Sequence, residues 1–135
     1  MAIQLSTSVR NARLDAIETT IGTSAILRIR TGTAPANCAA SDTGTVLAEI
    51  TCPSDWLAAA SSGSKSLLAT WQDLSANATG TAEHFRLYDS TGTVCHLQGT
   101  VTATGNGGDM EVSNTTINSG LTVTITSFTL TDGNA

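Results

Sequence analysis

Apolar positions follow two different periods along this chain, and the change falls at residues 22–24. In LSTSVRNARLDAIETTIG, Val9, Ala12, Ala16, Ile17 and Ile21 keep the spacing of one helix face, Ser6 or Thr7 stands where an N-cap belongs, and Gly22 suits a left-handed C-terminus. The stripe is narrow and alanine-rich, which predicts close packing on the rest of the chain or on a neighbouring subunit. From Ser24 onward, short runs of valine, isoleucine, leucine and threonine alternate with turn-forming glycine, serine, asparagine and aspartate. Strands are expected over 25–30, 46–52, 66–72, 82–89, 93–102, 110–114 and 121–131. A loop over 31–44, rich in alanine and serine, reads as mobile, and SDWLAAA after Pro53 reads as a short helical turn. The pattern predicts an N-terminal helix or arm over 1–23, then an all-β domain over 24–135. The fold class is a two-layer antiparallel β-sandwich, jelly-roll or Greek-key, with a short N-terminal α-helix.

Two strands carry enough pattern for register. In AEHFRLYDSTGTVCHLQGTV, a three-residue loop of Ser90, Thr91 and Gly92, with positive φ at Gly92, sets Leu87 opposite Cys95 and Phe85 opposite Leu97. His84, Arg86, Tyr88, His96 and Gln98 then share the outer face. In LTVTITSFTLT, Leu121, Val123 and Ile125 have one parity and Phe128 and Leu130 the other. One extra residue near Thr126 or Ser127, a β-bulge, would return the later side chains to the core.

Composition narrows the chemistry. Charged residues make up 13% of the 135 residues, about half the globular norm of roughly 25%, so the surface is largely neutral and hydrogen-bonding. The net charge of −5 and a single lysine, Lys65, argue against nucleic acid, whose binding needs clustered cations at phosphates. No apolar run has membrane-spanning length, and the start MAIQLSTSVR lacks the layout of a secretory signal. An odd cysteine count at unpatterned spacing, Cys38, Cys52 and Cys95, predicts neither a disulfide framework nor a zinc site, and Cys52 and Cys95 read as small buried hydrophobes.

Catalysis has little to draw on. His84 and His96 are the only imidazoles, neither near a GxSxG turn, and no third metal ligand accompanies them. Asn106, Asp109 and Glu111 in TGNGGDMEVSN lack EF-hand spacing and read as an ordinary turn. Trp56 and Trp71 read as core, with sugar stacking as the alternative. The expectation is a non-enzymatic protein with no cofactor and no metal.

The residues LSTSVRNARLDAIETTIGTSAILRIRTGTAPA, followed by GTVLAEI, TGTAEHFRLYDSTGTV and a closing SFTL, give a likeness over nearly the whole chain. It resembles a group of small proteins encoded in the structural gene clusters of tailed bacteriophages and prophages. The resemblance implies a virion component assembled in the bacterial cytoplasm and carries over no active-site residue. Within a virion, a compact, weakly charged sandwich suits a capsid decoration or cement protein, a homo-oligomer such as a trimer that bridges major capsid protein subunits. The contacts then fall on the helix, at Val9, Arg10, Arg13, Ala16 and Ile17, and on the 31–44 loop, at Pro35 and Asn37. A tail-tip or fibre-associated sandwich binding host glycans is the alternative.

Overall fold

The computed structural model describes residues 2–134. One helix, α1 (Thr7–Ile21), precedes ten strands: β1 (Ile26–Arg30), β2 (Val46–Thr51), β3 (Ser64–Ser66), β4 (Gln72–Asp73), β5 (Gly80–Thr81), β6 (His84–Tyr88), β7 (Cys95–Ala103), β8 (Met110–Val112), β9 (Thr116–Ile117) and β10 (Val123–Thr131). The protein is thus mostly β with one short helix.

Eight of the ten strands join one sheet. Seven run in the order β2-β1-β6-β7-β8-β10-β3, and β4 pairs with β10 off that path, while β5 and β9 form a separate ribbon. The β7–β8 pairing is parallel, Val101 opposite Met110, so the sheet is mixed. It also curls. The Leu47 carbonyl of β2 accepts the Asn77 N–H at 2.7 Å and the Asp73 carboxylate accepts the Glu49 N–H at 3.0 Å, which brings one end of the path beside β4.

Inside the curl, Leu27, Ile29, Ile50, Phe85 and Leu87 from one half meet Met110, Val112, Ile125 and Phe128 from the other. Aromatic rings link the halves: Phe85 meets Phe128 edge-on at 5.8 Å, Phe128 meets Trp71 at 5.6 Å, and Trp71 meets Trp56 at 5.8 Å. Both tryptophans are 0% exposed. Their indole N–H groups donate to the Gly22 and Leu68 carbonyls, so both are core and neither can stack on a sugar.

The bulge expected in the last strand is present. Ile125 pairs with Val112 and Ser127 with Glu111, so Thr126 is the extra residue, and Phe128 returns inward with Val123 and Ile125. Leu121 departs from expectation: it precedes the strand and is 56% exposed. The outward hydroxyls pair among themselves, Thr126 with Thr104 at 2.7 Å and Thr129 with Ser66 at 3.0 Å.

Other expectations need correction. The run 66–72 is not one strand, because Ala69 takes a φ of +62 and breaks it between β3 and β4. In the β6–β7 hairpin, Leu87 faces Leu97 and Phe85 faces Gly99, while Tyr88 faces Cys95. Gly92 has the expected positive φ, but the turn closes through the Asp89 N–H and the Val94 carbonyl, one residue wider than expected. A bulge that skips His96 then restores the parity, two residues away from the expected register.

The SDWLAAA segment is not helical. It runs extended, Leu57 bridges Leu67, and the chain reverses at Ser62 and Gly63, both with positive φ as a two-residue hairpin turn requires. Gly22 caps α1 with positive φ but extended ψ, not the left-handed geometry, and its N–H donates to the Glu18 carbonyl at 2.8 Å.

Candidate functional site

Helix α1 places the residues of interest, and the face it turns inward mixes apolar and polar groups. Only Leu14 and Ile21 are buried along it, with Ile17 half-buried, while Ala12 and Ala16 of the expected stripe lie in the open. Asn11, Asp15 and Glu18 repeat at helical spacing on the inward side and capture the backbone of the extended segment 56–63. Glu18 Oε1 accepts the N–H groups of Trp56 and Leu57 at 3.2 and 3.0 Å. Asp15 Oδ1 accepts Ala60 N–H at 3.0 Å and Asn11 Oδ1 accepts Gly63 N–H at 2.9 Å. These side chains stand in for a neighbouring strand, and this is why SDWLAAA does not coil: its N–H groups already have partners.

Lys65 of β3 completes the seam. It is 3% exposed, and its ammonium donates to Asp15 at 2.7 Å, to the Ala58 carbonyl at 3.0 Å and reaches Glu18 at 2.9 Å. Three acceptors match its three N–H donors. Burial pulls the lysine's pKa down, but the hydrogen bonds and charges of Asp15 and Glu18 outweigh it and leave the value raised. The Lys65 hydrogen bond, then the Ala60 N–H, hold the Asp15 carboxyl below its ordinary value.

The outward side of α1 is what remains open. Val9 is 46% exposed, and Arg13 reaches along the surface to Asp132 at 3.2 Å. Arg13, Ala16 and Ile17 stand between two shallow grooves of about 290 and 430 Å³. The smaller continues over Thr20 and Ile21 to His96 and Leu97. Arg10 is not part of this surface: its guanidinium turns inward to the Asp132 carbonyl at 3.0 Å and to Thr7.

The second candidate region is the 31–44 loop, and it is anchored, contrary to the mobility expected of it. The face of β1, β6 and β7 that carries Arg28, Arg30, His84, Arg86, Tyr88 and Gln98 is covered by this loop, so His84 and Arg86 are each 1% exposed where a surface position was expected. Arg86 donates to the Cys38 and Ala40 carbonyls at 2.7 and 3.0 Å and to Asp42 Oδ1 at 2.7 Å. Arg30 takes the other Asp42 oxygen at 2.7 Å, and the Tyr88 hydroxyl donates to Oδ1 at 2.6 Å. Gln98 donates to the Pro35 carbonyl and His84 Nδ1 contacts the Gly32 carbonyl, each at 2.6 Å. Asn37 turns its side-chain oxygen back onto the Ala39 and Ala40 N–H groups.

Burial pushes the Asp42 carboxyl up, but the Tyr88 hydroxyl and the Arg30 and Arg86 guanidiniums more than offset it and hold it below the ordinary range. Sequence reading left Asp42 out and treated Lys65 as a solitary charge. The signal available was the alternation in LRIR and FRLY, where arginines share strands with core residues and need partners.

The structure does not assemble a catalytic constellation from the imidazoles. His84 is sealed under the loop, whereas the bulge sends His96 to the groove beside α1. Asp109 is engaged by Thr100 N–H and hydroxyl at 2.8 and 2.9 Å, and Glu111 accepts the Gly105 N–H. Among the described residues no three histidines, cysteines or carboxylates converge as a metal site, and no helix is long and apolar enough to cross a membrane.

Compared with known proteins, the chain matches no family model, no curated protein and no solved structure.

Proposed function

We propose that this chain is a non-enzymatic structural protein of a tailed-phage virion, a cement that binds across neighbouring major capsid subunits. The observation that carries the reading is the division of labour in α1. Its charged side is spent on holding 56–63, while Val9, Arg13, Ala16 and Ile17 remain on an open, weakly charged surface with two grooves. A lattice multiplies shallow contacts of this kind, since each bound copy holds its neighbours in place. The likeness of VRNARLDAI and LRIRTG to phage structural proteins supports the same assignment. Pro35 and Asn37 lie on the loop that the arginine face holds rigid, so this loop meets a partner preorganised. In this reading the curled sheet serves as a sandwich, its β1–β6 half stacked on its β10 half across Phe85 and Phe128.

The test is binding to particles. Purified protein should co-sediment with mature empty capsids at stoichiometric density, and particles made without it should release DNA on mild heating. Absence from washed virions by mass spectrometry would overturn the proposal, and density on the tail would move the protein to the tail-associated alternative.

A further inference from the structure

The Arg86 guanidinium does more than hold Asp42. Its Nε donates to Cys95 Sγ at 3.2 Å, and its Nη2 donates to the Cys38 carbonyl at 2.7 Å. These two N–H groups form one edge of the planar fork and point in parallel, so they bring the Cys38 carbonyl of the loop beside the Cys95 thiol of β7. Cys95 lies near enough to the Cys38 thiol to act on its ionisation. Both residues are half-buried, whereas Cys52 is buried on the other side of the sheet's core.

We infer that Cys38 and Cys95 are a built cross-linking site, which an oxidising environment converts to a disulfide that staples the 31–44 loop to β7. The closed loop spans β2 to β6, so the staple would constrain a large part of the unfolded chain. The chemistry is thiol–disulfide exchange with a small disulfide of the oxidised-glutathione class. One thiolate attacks it and releases a thiol, and the other thiolate displaces the second thiol as the Cys38–Cys95 bond forms. Two electrons and two protons leave the protein, and the small disulfide departs as two reduced thiols. Burial, then the neighbouring Cys95, pushes the Cys38 thiol up, so the exchange accelerates with rising pH. Cys52 takes no part, since burial alone carries its pKa to about 12.

The experiment incubates the full-length chain with oxidised glutathione, then maps it without reduction. The expected product is monomeric, lighter by two hydrogens, with a linked Cys38–Cys95 peptide pair, only Cys52 open to alkylation after unfolding, and a melting temperature raised by about 5 °C or more. Cys38→Ser and Cys95→Ser should each abolish the two-hydrogen loss, trapping at most a glutathione adduct on the thiol that remains, while keeping the far-UV circular dichroism, and Cys52→Ser should leave the loss intact. Three alkylatable thiols after oxidation, a persistent glutathione adduct on Cys38 or Cys95, or dimers joined through Cys38 would each overturn the inference.

Discussion

Two irregular segments, 31–44 and 56–63, are held against this molecule by opposite chemistry. The first offers carbonyls and is gripped by donors: Arg86 on Cys38 and Ala40, Gln98 on Pro35, and Arg30 near Thr43 and Gly44. The second offers N–H groups and is gripped by acceptors on α1: Glu18, Asp15 and Asn11. Each grip is balanced by one ion of the opposite sign, Asp42 among the guanidiniums and Lys65 among the carboxylates. Backbone that joins no sheet ladder still needs partners, and a charged side chain can satisfy several such groups at once. The two grips differ in their response to pH, because arginine keeps its charge at pH values where a carboxylate or a lysine changes state.

The largest effect should come from removing the centre of the arginine grip. Arg86→Ala leaves Asp42 short of a partner and two half-buried loop carbonyls unpaired, so urea denaturation should show a loss of about 3 kcal/mol. Arg86→Lys should recover only part of that loss, since an ammonium cannot reproduce the fork. Cutting the other grip is milder. Glu18→Ala leaves the Trp56 and Leu57 N–H groups without their acceptor and should cost about 2 kcal/mol, whereas Glu18→Gln keeps a carbonyl oxygen there and should cost about half as much.

The pH response sharpens the contrast. Asp15 and Asp42 both have folded pKa values below their ordinary 3.8, so their stabilisation is fully present above that value and is lost as pH falls through the lower folded values. Thermal melts should therefore soften only under strongly acidic conditions, and Asp15→Asn or Asp42→Asn should flatten that dependence. Lys65, with its pKa raised above 10.5, gives the α1 seam a second limit: its contribution persists through that pH and is lost above it. Trp56 fluorescence should report the seam opening there, while Arg86 still holds the 31–44 loop. The smallest stability effect belongs to the outward helix face. Val9→Ser should shift the unfolding free energy by no more than about 0.5 kcal/mol, yet weaken co-sedimentation with capsids.

Much of this architecture was legible residue by residue. The Ser6 cap and the position of the Gly22 end bound the helix as expected, though not Gly22's conformation, and the parity change in LTVTITSFTLT placed the bulge within the two residues Thr126 and Ser127. Those features are local: capping, alternation and bulging depend on neighbours within a few positions. The errors came where distant groups decided the outcome. SDWLAAA has helical propensity, but Glu18 and Asp15 claim its N–H groups, and the polar face of FRLY is interior because the 31–44 loop folds over it. For the candidate surface, the outward position of Val9 and Ala16 could be read only once Asn11, Asp15 and Glu18 proved to turn inward beside Leu14 and Ile21.

The sequence by itself determined the extent of α1 and the parity change of the last strand, because backbone sterics and apolar period act within a single element. Only the tertiary structure decided which polar residues are interior, which strands run parallel and which cysteine the Arg86 fork reaches. Each of those depends on partners far away in the chain, and no local period encodes them.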